Sequence, residues 1–240
     1  MSEFRPRLIA IMAQGLCEHD PGLNGLIGIE DEQGEQALPW YSRRDMRFYV
    51  KNTRNNIVIV GRKTYDTLPK AAFKQRTVYV VSRHITDNSI GHDNGKPALA
   101  FRSVSEAISY ASMRLHHHYA DTGEERKIFV AGGAQIYKQV LEQNLVDEIL
   151  LTQVIIEPEI TPAEPHKLIK LDCGDSFTQF GYHREMSFGV PGGDNELPLV
   201  FSHYIHEAKT RTALLMRDVF HNLITDTLTL INEACEPQEL

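Results

Sequence analysis

The sequence predicts an α/β fold with a mostly parallel central sheet, and three observations support this prediction. Five short apolar runs rich in β-branched residues occur at 7–13, 56–61, 77–82, 127–133 and 148–155. Such runs are typical of strands that are covered on both faces. Helical patterns alternate with them, which indicates right-handed crossovers between parallel strands. Two later stretches, 177–188 and 198–206, alternate more openly and predict an antiparallel hairpin at one edge of the sheet.

Helices are expected between these strands, over residues 43–54, from Thr64 for a short turn, over 103–115 and over 134–144. Ser103 and Glu106 have the spacing of a capping box, which predicts a helix start at Ser103. The stretch 14–38 is rich in glycine and acidic residues and is predicted to be a long loop. A loop of that length is usually either functional or disordered.

The composition is that of a soluble globular protein and excludes several classes of function. The chain has 240 residues and a formal net charge of −7, which argues against nucleic-acid binding. No apolar stretch reaches the roughly 20 residues that a membrane-spanning helix needs, and the first residues do not resemble a secretion signal. The three cysteines, Cys17, Cys173 and Cys235, lack paired spacing. They are expected to be reduced thiols in a cytoplasmic protein.

The consecutive histidines His116, His117 and His118 invite a metal-binding interpretation. Three neighbouring residues of one helix cannot all face one ion, and no acid or cysteine has a matching spacing. We therefore predict a solvated helix end and no metal site.

Two glycine-containing turns, VGRKT (60–64) and VAGGAQIY (130–137), follow predicted strands and open helices. The unpaired N–H groups of a helix start attract anions, and Gly132 and Gly133 would allow a pyrophosphate to approach the backbone. Glycine also simply ends strands, so ordinary strand-end punctuation is the alternative. Neither turn has the spacing of the common nucleotide-binding fingerprints.

Cationic residues follow two further predicted strands. Ser82 and Arg83 end the third strand, and Arg102 follows the next short one. Two guanidinium groups near adjacent strand ends would suit an additional phosphate group on a nucleotide. The alternative is that each arginine is a solvated surface charge.

Asp45 stands in an apolar neighbourhood, in the stretch LPWYSRRDMRFYVKNT (38–53). An acid in the first turn of a helix is commonly explained by the unpaired N–H groups there. The alternative is a buried acid that binds or protonates a ligand. The residues alone leave both explanations open.

These motifs together resemble the dihydrofolate reductase family. The stretches that carry the resemblance are LIAIMA (8–13), GLIG (25–28), LPWYSRRDMRFYVKNT (38–53), VGRKTYDTLP (60–69), RTVYVVSR (76–83), VAGGAQIY (130–137) and EILLTQV (148–154). The resemblance covers about residues 7–206. It implies a three-layer fold and reduction of dihydrofolate to tetrahydrofolate, with hydride transfer from NADPH to pterin C6 and protonation of N5.

The resemblance also implies the residues that bind the substrate. The active-site carboxylate of the family falls on Asp45, which would pair with the 2-amino and ring N–H groups of the pterin. Thr152 would bond Asp45, and through water the pterin amino group, and Trp40 would lie over the site. Arg76 would bind the α-carboxylate of the glutamate tail. The pterin ring would be walled by Ile9 and by Phe48 or Tyr49.

The resemblance further implies that NADPH is the cofactor. Its phosphates would be held at the two glycine turns, its 2′-phosphate near Ser82, Arg83 and Arg102, and its nicotinamide near Tyr137. The remaining cofactor-binding residues implied by the resemblance are Ala10, Ile27, Gly28, Gly61, Arg62, Lys63, Thr64, Gly132, Gly133, Ala134 and Gln135.

The chain departs from the family in two loops. The stretch 14–38 is several residues longer than the compact bacterial form of the loop that closes over the nicotinamide. The Gly-Asp-x-x-Phe-Pro pattern expected after the fifth strand is absent, and the proline-containing segment 155–171 stands in its place. Its prolines predict an extended, stiff connection.

Two alternatives to dihydrofolate reduction stay open. The first is a related reductase that acts on another pterin or a ribosylated pyrimidine, and the second is a non-catalytic ligand-binding protein.

A C-terminal extension is predicted beyond the catalytic domain. Residues 1–206 would form that domain, and 207–240 an extension whose part 207–234 is an amphipathic helix without glycine or proline. A lone helix is marginal in water, so its apolar stripe must be buried. The helix could pack on its own domain or on the same helix of a second copy. We favour the second alternative, a homodimer.

Overall fold

The structure is a computed structural model, and it describes residues 4–84, 89–90, 98–160, 167–171, 177–193 and 196–209. Four α-helices lie in these ranges, namely α1 (Arg43–Thr53), α2 (Arg62–Thr67), α3 (Val104–Thr122) and α4 (Ala134–Glu142). The strands described are β1 (Leu8–Leu16), β2 (Leu26–Glu30), β3 (Gln36–Ala37), β4 (Ile57–Gly61), β5 (Thr77–Val81), β6 (Ser89–Ile90), β7 (Ala98–Phe101), β8 (Ile128–Val130), β9 (Glu148–Ile155), β10 (Lys167–Lys170), β11 (Tyr182–Val190) and β12 (Leu199–His206).

The central sheet has the strand order β11-β12-β9-β1-β8-β4-β5-β7-β6. The strands from β9 to β7 in this order are parallel to their neighbours, as the apolar runs predict. The hairpin β11–β12 is antiparallel and adds to β9 at one edge. The predicted α/β class with an antiparallel C-terminal hairpin is therefore confirmed.

The sheet is covered on both faces, which gives three layers. Alternate residues of β1 enter two separate hydrophobic clusters. Ala10 and Met12 belong to the cluster that includes buried residues of α3 and α4. Ile9 and Ile11 belong to the other cluster, together with Phe48 of α1. Because side chains of a strand alternate between faces, β1 contributes apolar surface to both sides of the fold.

Helix α3 is longer than the sequence pattern suggested. Its start is as predicted, because the Ser103 hydroxyl accepts a hydrogen bond from the Glu106 amide at 3.1 Å. The Glu106 carboxylate accepts from the amide of Arg102 at 3.0 Å. The helix then continues to Thr122 and ends at Gly123, whose φ of +70° suits glycine. The three histidines therefore lie within the helix and not at its end.

The expected long loop 14–38 is wrong in part, because it contains secondary structure. Strand β1 continues to Leu16, and β2 and β3 follow. Strand β10 comes from the connection 155–171 and pairs antiparallel with β2, so that β10, β2 and β3 form a second sheet. The partners are about 140 residues apart in sequence, so a local pattern could not reveal the pairing.

Three further predictions concern the C-terminal helix, membrane-spanning helices and metal sites. The C-terminal helix predicted over 207–234 lies outside the described residues, apart from a short 3₁₀ turn at Glu207–Lys209. Within the described ranges, no helix is long and apolar enough to cross a membrane. No group of three or more histidine, cysteine, aspartate or glutamate side chains is arranged for a metal ion among those same residues.

Candidate active site

A cavity lies between β1, the residues that follow β8, and the helices α1, α2 and α4. The second sheet forms another part of its wall. This position is the usual ligand site of an open α/β sheet. The residues that line it are Ile11, Met12, Ala13, Ile27, Gly28, Gln36, Ala37, Leu38, Asp45, Met46, Tyr49, Thr64, Thr67, Leu68, Ala72, Ala131, Gly132, Gly133, Ala134, Tyr137 and Ile169.

Asp45 is the acidic residue of this wall, and its carboxylate is not used to cap α1. The cap is Ser42, whose hydroxyl accepts a hydrogen bond from the Asp45 amide at 3.2 Å. The carboxylate faces the cavity and accepts a hydrogen bond from the hydroxyl of Thr152, a buried residue of β9. The geometry therefore favours the ligand-directed explanation of Asp45 over the helix-start explanation.

The surroundings of Asp45 make it an unusually weak acid at neutral pH. Burial raises the pKa of its carboxyl group to about 6, against the opposing effect of the Thr152 hydrogen bond. Loss of hydration disfavours the charged form, and one neutral donor compensates only part of that loss. No salt bridge to Asp45 occurs in the described part of the chain. A carboxyl group with this pKa can bind N–H donors as an anion and exchange a proton near neutral pH.

Arg76 is fixed beside the cavity by the C-terminal part of α1. Its Nε donates to Oγ1 of Thr53 at 2.7 Å, and one terminal nitrogen donates to the Val50 carbonyl oxygen at 3.0 Å. The other terminal nitrogen donates to the carbonyl oxygen of Lys74. The guanidinium lies 5.2 Å from the ring centroid of Tyr49, which lines the cavity. A guanidinium carries five N–H donors, so these three bonds orient the group and leave donors for an anion.

The two glycine turns touch each other at the cavity. The amide of Gly61 donates to the carbonyl oxygen of Gly132 at 2.7 Å. A Cβ atom on Gly133 would lie 2.9 Å from Oγ1 of Thr64, and Gly132 has a φ of +105°. The peptide bond between Gly132 and Gly133 is cis. The positive φ of Gly132 favours glycine, and a side chain on Gly133 would fill the space beside the Thr64 hydroxyl group.

The hydroxyl of Tyr137 fixes the second turn to β1. It donates to the carbonyl oxygen of Ile11 at 2.7 Å, and both residues line the cavity. Burial raises the pKa of Tyr137 well above its ordinary value, so the phenol stays protonated. The ring therefore acts as an uncharged wall residue.

The side chains of the GRKT turn have partners in this structure. Arg62 Nε donates to Asp66 at 2.8 Å, within α2. Lys63 Nζ lies 2.7 Å from Oε2 of Glu30 on the second sheet. The hydrogen bond from Lys63 lowers the pKa of Glu30. An anion at this turn would compete with Glu30 for the Lys63 ammonium group.

Arg83 and Arg102 follow adjacent strands, as expected. Strands β5 and β7 are parallel, with Val81 opposite Phe101, and the Ser82 amide donates to the Phe101 carbonyl oxygen at 2.9 Å. Both arginines are exposed, and neither they nor Ser82 lines the cavity. They lie at the carboxyl edge of the same sheet, beyond β4, where an extended ligand could reach them.

Thirteen of the expected site residues do not line the cavity. Eight of these lie on elements next to the lining residues, namely Gly61, Arg62, Lys63, Arg76, Ser82, Arg83, Arg102 and Thr152. The five others are Ile9, Ala10, Phe48, Trp40 and Gln135. On β1 the lining residues are Ile11, Met12 and Ala13, which follow Ile9 and Ala10 in the strand.

 Both Ile9 and Ala10 are buried in the core instead. Their contact with a ligand therefore stays a prediction.

The other three residues are Phe48, Trp40 and Gln135. Phe48 is buried and packs on Phe201, with ring centroids 4.7 Å apart, so of the two aromatic candidates on α1 only Tyr49 reaches the cavity. Trp40 is 6% exposed and lies in the core cluster, and its Nε1 has no hydrogen-bond partner among the described residues. Gln135 is exposed on the first turn of α4.

Sequence reasoning missed several wall residues. Gln36, Ala37 and Leu38 belong to β3 and the residue after it, in the stretch expected to be a loop. Their position directly before the Pro-Trp motif was the available signal. Ile169 comes from β10, and the sequence KLIK (167–170) does not mark it as facing inward, because Leu168 beside it is equally apolar. The other residues missed are Ile11, Met12, Ala13, Met46, Thr67, Leu68, Ala72 and Ala131.

Comparisons with known proteins agree with this arrangement. Residues 22–166, more than half of the chain, match the family model described as Dihydrofolate reductase. The dihydrofolate reductase of Mycoplasma pneumoniae is 26% identical over 165 residues, which cover 69% of this chain and 86% of the relative. The dihydrofolate reductase of Enterococcus faecium is 30% identical over 123 residues, which cover 51% of this chain and 62% of the relative.

A solved structure shares the fold. It is the dihydrofolate reductase from Enterococcus faecalis complexed with NADP(H) and RAB-propyl, with a TM-score of 0.58 and 19% identity. The similarity covers 85% of this chain and 98% of that one. Together with the match over residues 22–166, the fold and the cavity lead to one conclusion. The chain belongs to the dihydrofolate reductase family.

Proposed function

We propose that this chain reduces 7,8-dihydrofolate to 5,6,7,8-tetrahydrofolate with NADPH as the cofactor. The observation that carries the proposal is Asp45, a carboxylate in the cavity wall whose hydrogen-bonded partner is the neutral Thr152. The 2-amino and ring N–H groups of a pterin are two adjacent donors, and a carboxylate offers two acceptor oxygens. This complementarity is specific to a ligand that carries such a donor pair.

The raised pKa of Asp45 supports a part in the reaction beyond binding. With a pKa of about 6, a substantial fraction of the carboxyl groups is protonated just below neutral pH. Asp45 would hold the pterin as an anion and favour delivery of a proton to N5 through water. NADPH, when bound, supplies the hydride for pterin C6. The buried Thr152 would keep the carboxylate oriented toward the ring.

The residues at the two glycine turns fit a dinucleotide with phosphate groups. The space between Gly133 and Thr64 would be filled by any side chain at position 133, so the backbone there is open to close approach. Arg62 and Lys63 would add positive charge at the adjoining turn, and Arg83 and Arg102 would attract a 2′-phosphate further along the sheet edge. Tyr137 and Ala134 would form the uncharged wall beside the nicotinamide.

Arg76 would bind the glutamate tail of the substrate. Its guanidinium is oriented by Thr53 and by backbone carbonyl groups, and it lies beside Tyr49 at the cavity. A planar guanidinium with free N–H groups is suited to a carboxylate. Tyr49 and Ile11 would wall the pterin, and Trp40 would contribute through the core behind them.

The proposal is tested by measuring NADPH oxidation in the presence of dihydrofolate, with a second pterin and a ribosylated pyrimidine as competing substrates. We expect dihydrofolate to give the highest kcat/KM. NADPH should also be preferred to NADH, by roughly 1.5–3 kcal/mol for charge-assisted phosphate contacts. Oxidation that depends on one of the other substrates would show a related reductase, and binding without turnover would show a non-catalytic protein.

A further inference from the structure

One wall residue of the cavity follows the part of the chain that matches the family model. The match ends at residue 166, and β10 begins at Lys167. Ile169, the third residue of this strand, lines the same cavity as Asp45 and Gly133. Its neighbours Leu168 and Lys170 are exposed, whereas Ile169 is half-buried. The strand therefore presents one apolar side chain to the cavity.

Ile169 reaches the cavity because its partner on β2 has no side chain. The residue opposite Ile169 is Gly28. A Cβ atom on Gly28 would lie 3.6 Å from Cδ1 of Ile169 and 3.3 Å from the carbonyl oxygen of Ala37. The isoleucine therefore covers the space above the glycine backbone. Gly28 and Ile169 together make one surface of the wall.

The position of β10 places the surface formed by Gly28 and Ile169 in the part of the cavity next to the GRKT turn. Lys167 lies opposite Glu30, and Glu30 accepts hydrogen bonds from Lys63 and from Gln36, each at 2.7 Å. Lys63 belongs to the first turn of α2. The second sheet is thus joined to the turn for which we propose phosphate contacts. Asp45 belongs to a different element, helix α1.

We propose that Ile169 is a binding residue for the cofactor, packing its side chain against bound NADPH. This inference rests on the proposed function. Covering the exposed part of an apolar side chain favours binding, so we expect loss of the Ile169 side chain to raise the Kd by roughly tenfold. The contact also explains why an isoleucine, and not another lysine, faces Gly28 in the sequence KLIK.

The test compares Ile169→Ala with Leu168→Ala in the full chain. Leu168 is the neighbouring residue of the same strand and is 36% exposed, so its variant controls for weakening of β10 itself. Dissociation constants for NADPH and for dihydrofolate are measured separately, by titration of each variant. We expect Ile169→Ala to raise the Kd of NADPH about tenfold. Leu168→Ala should leave it near that of the unaltered chain. Ile169→Val should give an intermediate value.

Several outcomes would overturn the inference. An unchanged Kd of NADPH in Ile169→Ala would show that the side chain does not contact the cofactor. Equal weakening of both ligands, or equal effects of the two alanine variants, would show that β10 only supports the second sheet. If the unaltered chain binds NADPH but does not reduce dihydrofolate, the proposed function fails, and the comparison of Kd values still decides the role of Ile169.

Discussion

Two largely enclosed carboxyl groups at opposite ends of β9 have opposite electrostatic surroundings. Asp45 is bonded by Thr152 toward the carboxyl end of the strand, and Glu148 is its first residue. Thr152 is the fourth residue after Glu148, about 13 Å further along the strand. Burial acts on both groups, yet the pKa of Asp45 is raised to about 6 and that of Glu148 is lowered.

The difference lies in the charged partners. Burial alone would raise the pKa of Glu148, but a hydrogen bond from His203 and the positive charges of His203, Arg7 and Lys127 outweigh it. The Glu148 oxygens lie 2.5 Å from an Arg7 nitrogen and 2.9 Å from Nε2 of His203. Asp45 instead accepts a hydrogen bond from the neutral hydroxyl group of Thr152 and faces the cavity. A buried carboxylate whose charge is balanced by cationic side chains, such as Glu148, joins neighbouring strands. A buried carboxylate without a cationic partner at a cavity, such as Asp45, is available to a ligand.

The largest expected effect is on activity. Asp45→Asn should lower dihydrofolate reduction at neutral pH by about 10²–10⁴-fold, because an amide offers one acceptor and cannot carry a proton. The loss should shrink as pH falls, since a protonated substrate needs less help. Glu148→Gln is the matched control at the other end of β9, and its rate per folded molecule should stay close to that of the unaltered chain. Near-normal turnover of Asp45→Asn would remove the distinction between the two acids.

The second effect is on the free energy of unfolding. Here Glu148→Gln, and not Asp45→Asn, should be the damaging substitution. Glu148→Gln should lower the free energy of unfolding at neutral pH by about 3 kcal/mol, because it leaves the positive charges of Arg7 and Lys127 without their buried counter-charge. Urea unfolding followed by circular dichroism measures this loss. Because the pKa of Glu148 is lowered in the folded state, its contribution is present above about pH 4.3 and is lost as pH falls through the folded-state pKa. A variant as stable as the unaltered chain would show that the cluster is not structural.

The third effect is a gain in stability, expected for Asp45→Asn. The folded-state pKa of Asp45 lies above its unfolded value, so the ionised group costs stability at neutral pH. Asp45→Asn should therefore raise the free energy of unfolding at pH 7 by about 2–3 kcal/mol. The gain should disappear as pH falls from about 6 to about 4, where the unaltered carboxyl group becomes protonated. Unfolding curves of both proteins across this range measure the difference, and a gain that does not depend on pH would contradict the assignment.

The smallest effect concerns the single hydrogen bond to Asp45. Thr152→Val keeps the shape of the side chain and removes its hydroxyl group, so the pKa of Asp45 should rise by about one unit. The limb of the kcat/KM profile that reports Asp45 should move upward by that amount. Thr152→Ser retains the hydroxyl group and should leave the profile in place. An unchanged profile in Thr152→Val would show that the hydroxyl does not bond the carboxylate.

The sequence predicted the parts of the molecule that depend on local pattern. The five apolar runs predicted parallel strands because side chains buried on both faces leave a continuous apolar signature. Asp45, Tyr49, Thr64, Gly133 and Tyr137 reach one cavity because they follow strand ends or lie on the helices beside them. The roles of Ile9 and Ala10 stay predictions, because nothing in an apolar run marks which of its residues meet a ligand, and the residues of β1 that line the cavity are Ile11, Met12 and Ala13.

The second sheet could not be predicted because its pairing is not local. Strand β2 has an apolar alternation that fits a strand, but its partner β10 lies far along the chain in a segment with two separate signals, prolines and lysines. Burial of Trp40 depends on Gly15, where a Cβ would come within 3.3 Å of the indole ring. Such packing is decided by tertiary contacts that a single position does not reveal.

The pairing of β2 with β10 has a consequence for the order in which the protein is built. Strand β1 is synthesised early but pairs with β8 and β9, and β2 must wait for residues 167–170. Closing such long loops is entropically costly, and contacts between distant residues slow folding. A chain still emerging from the ribosome therefore lacks the part of the cavity wall that the second sheet forms until residue 170 is outside. A ligand of this cavity would find its complete wall only after that point, on the folded chain and not on the nascent one.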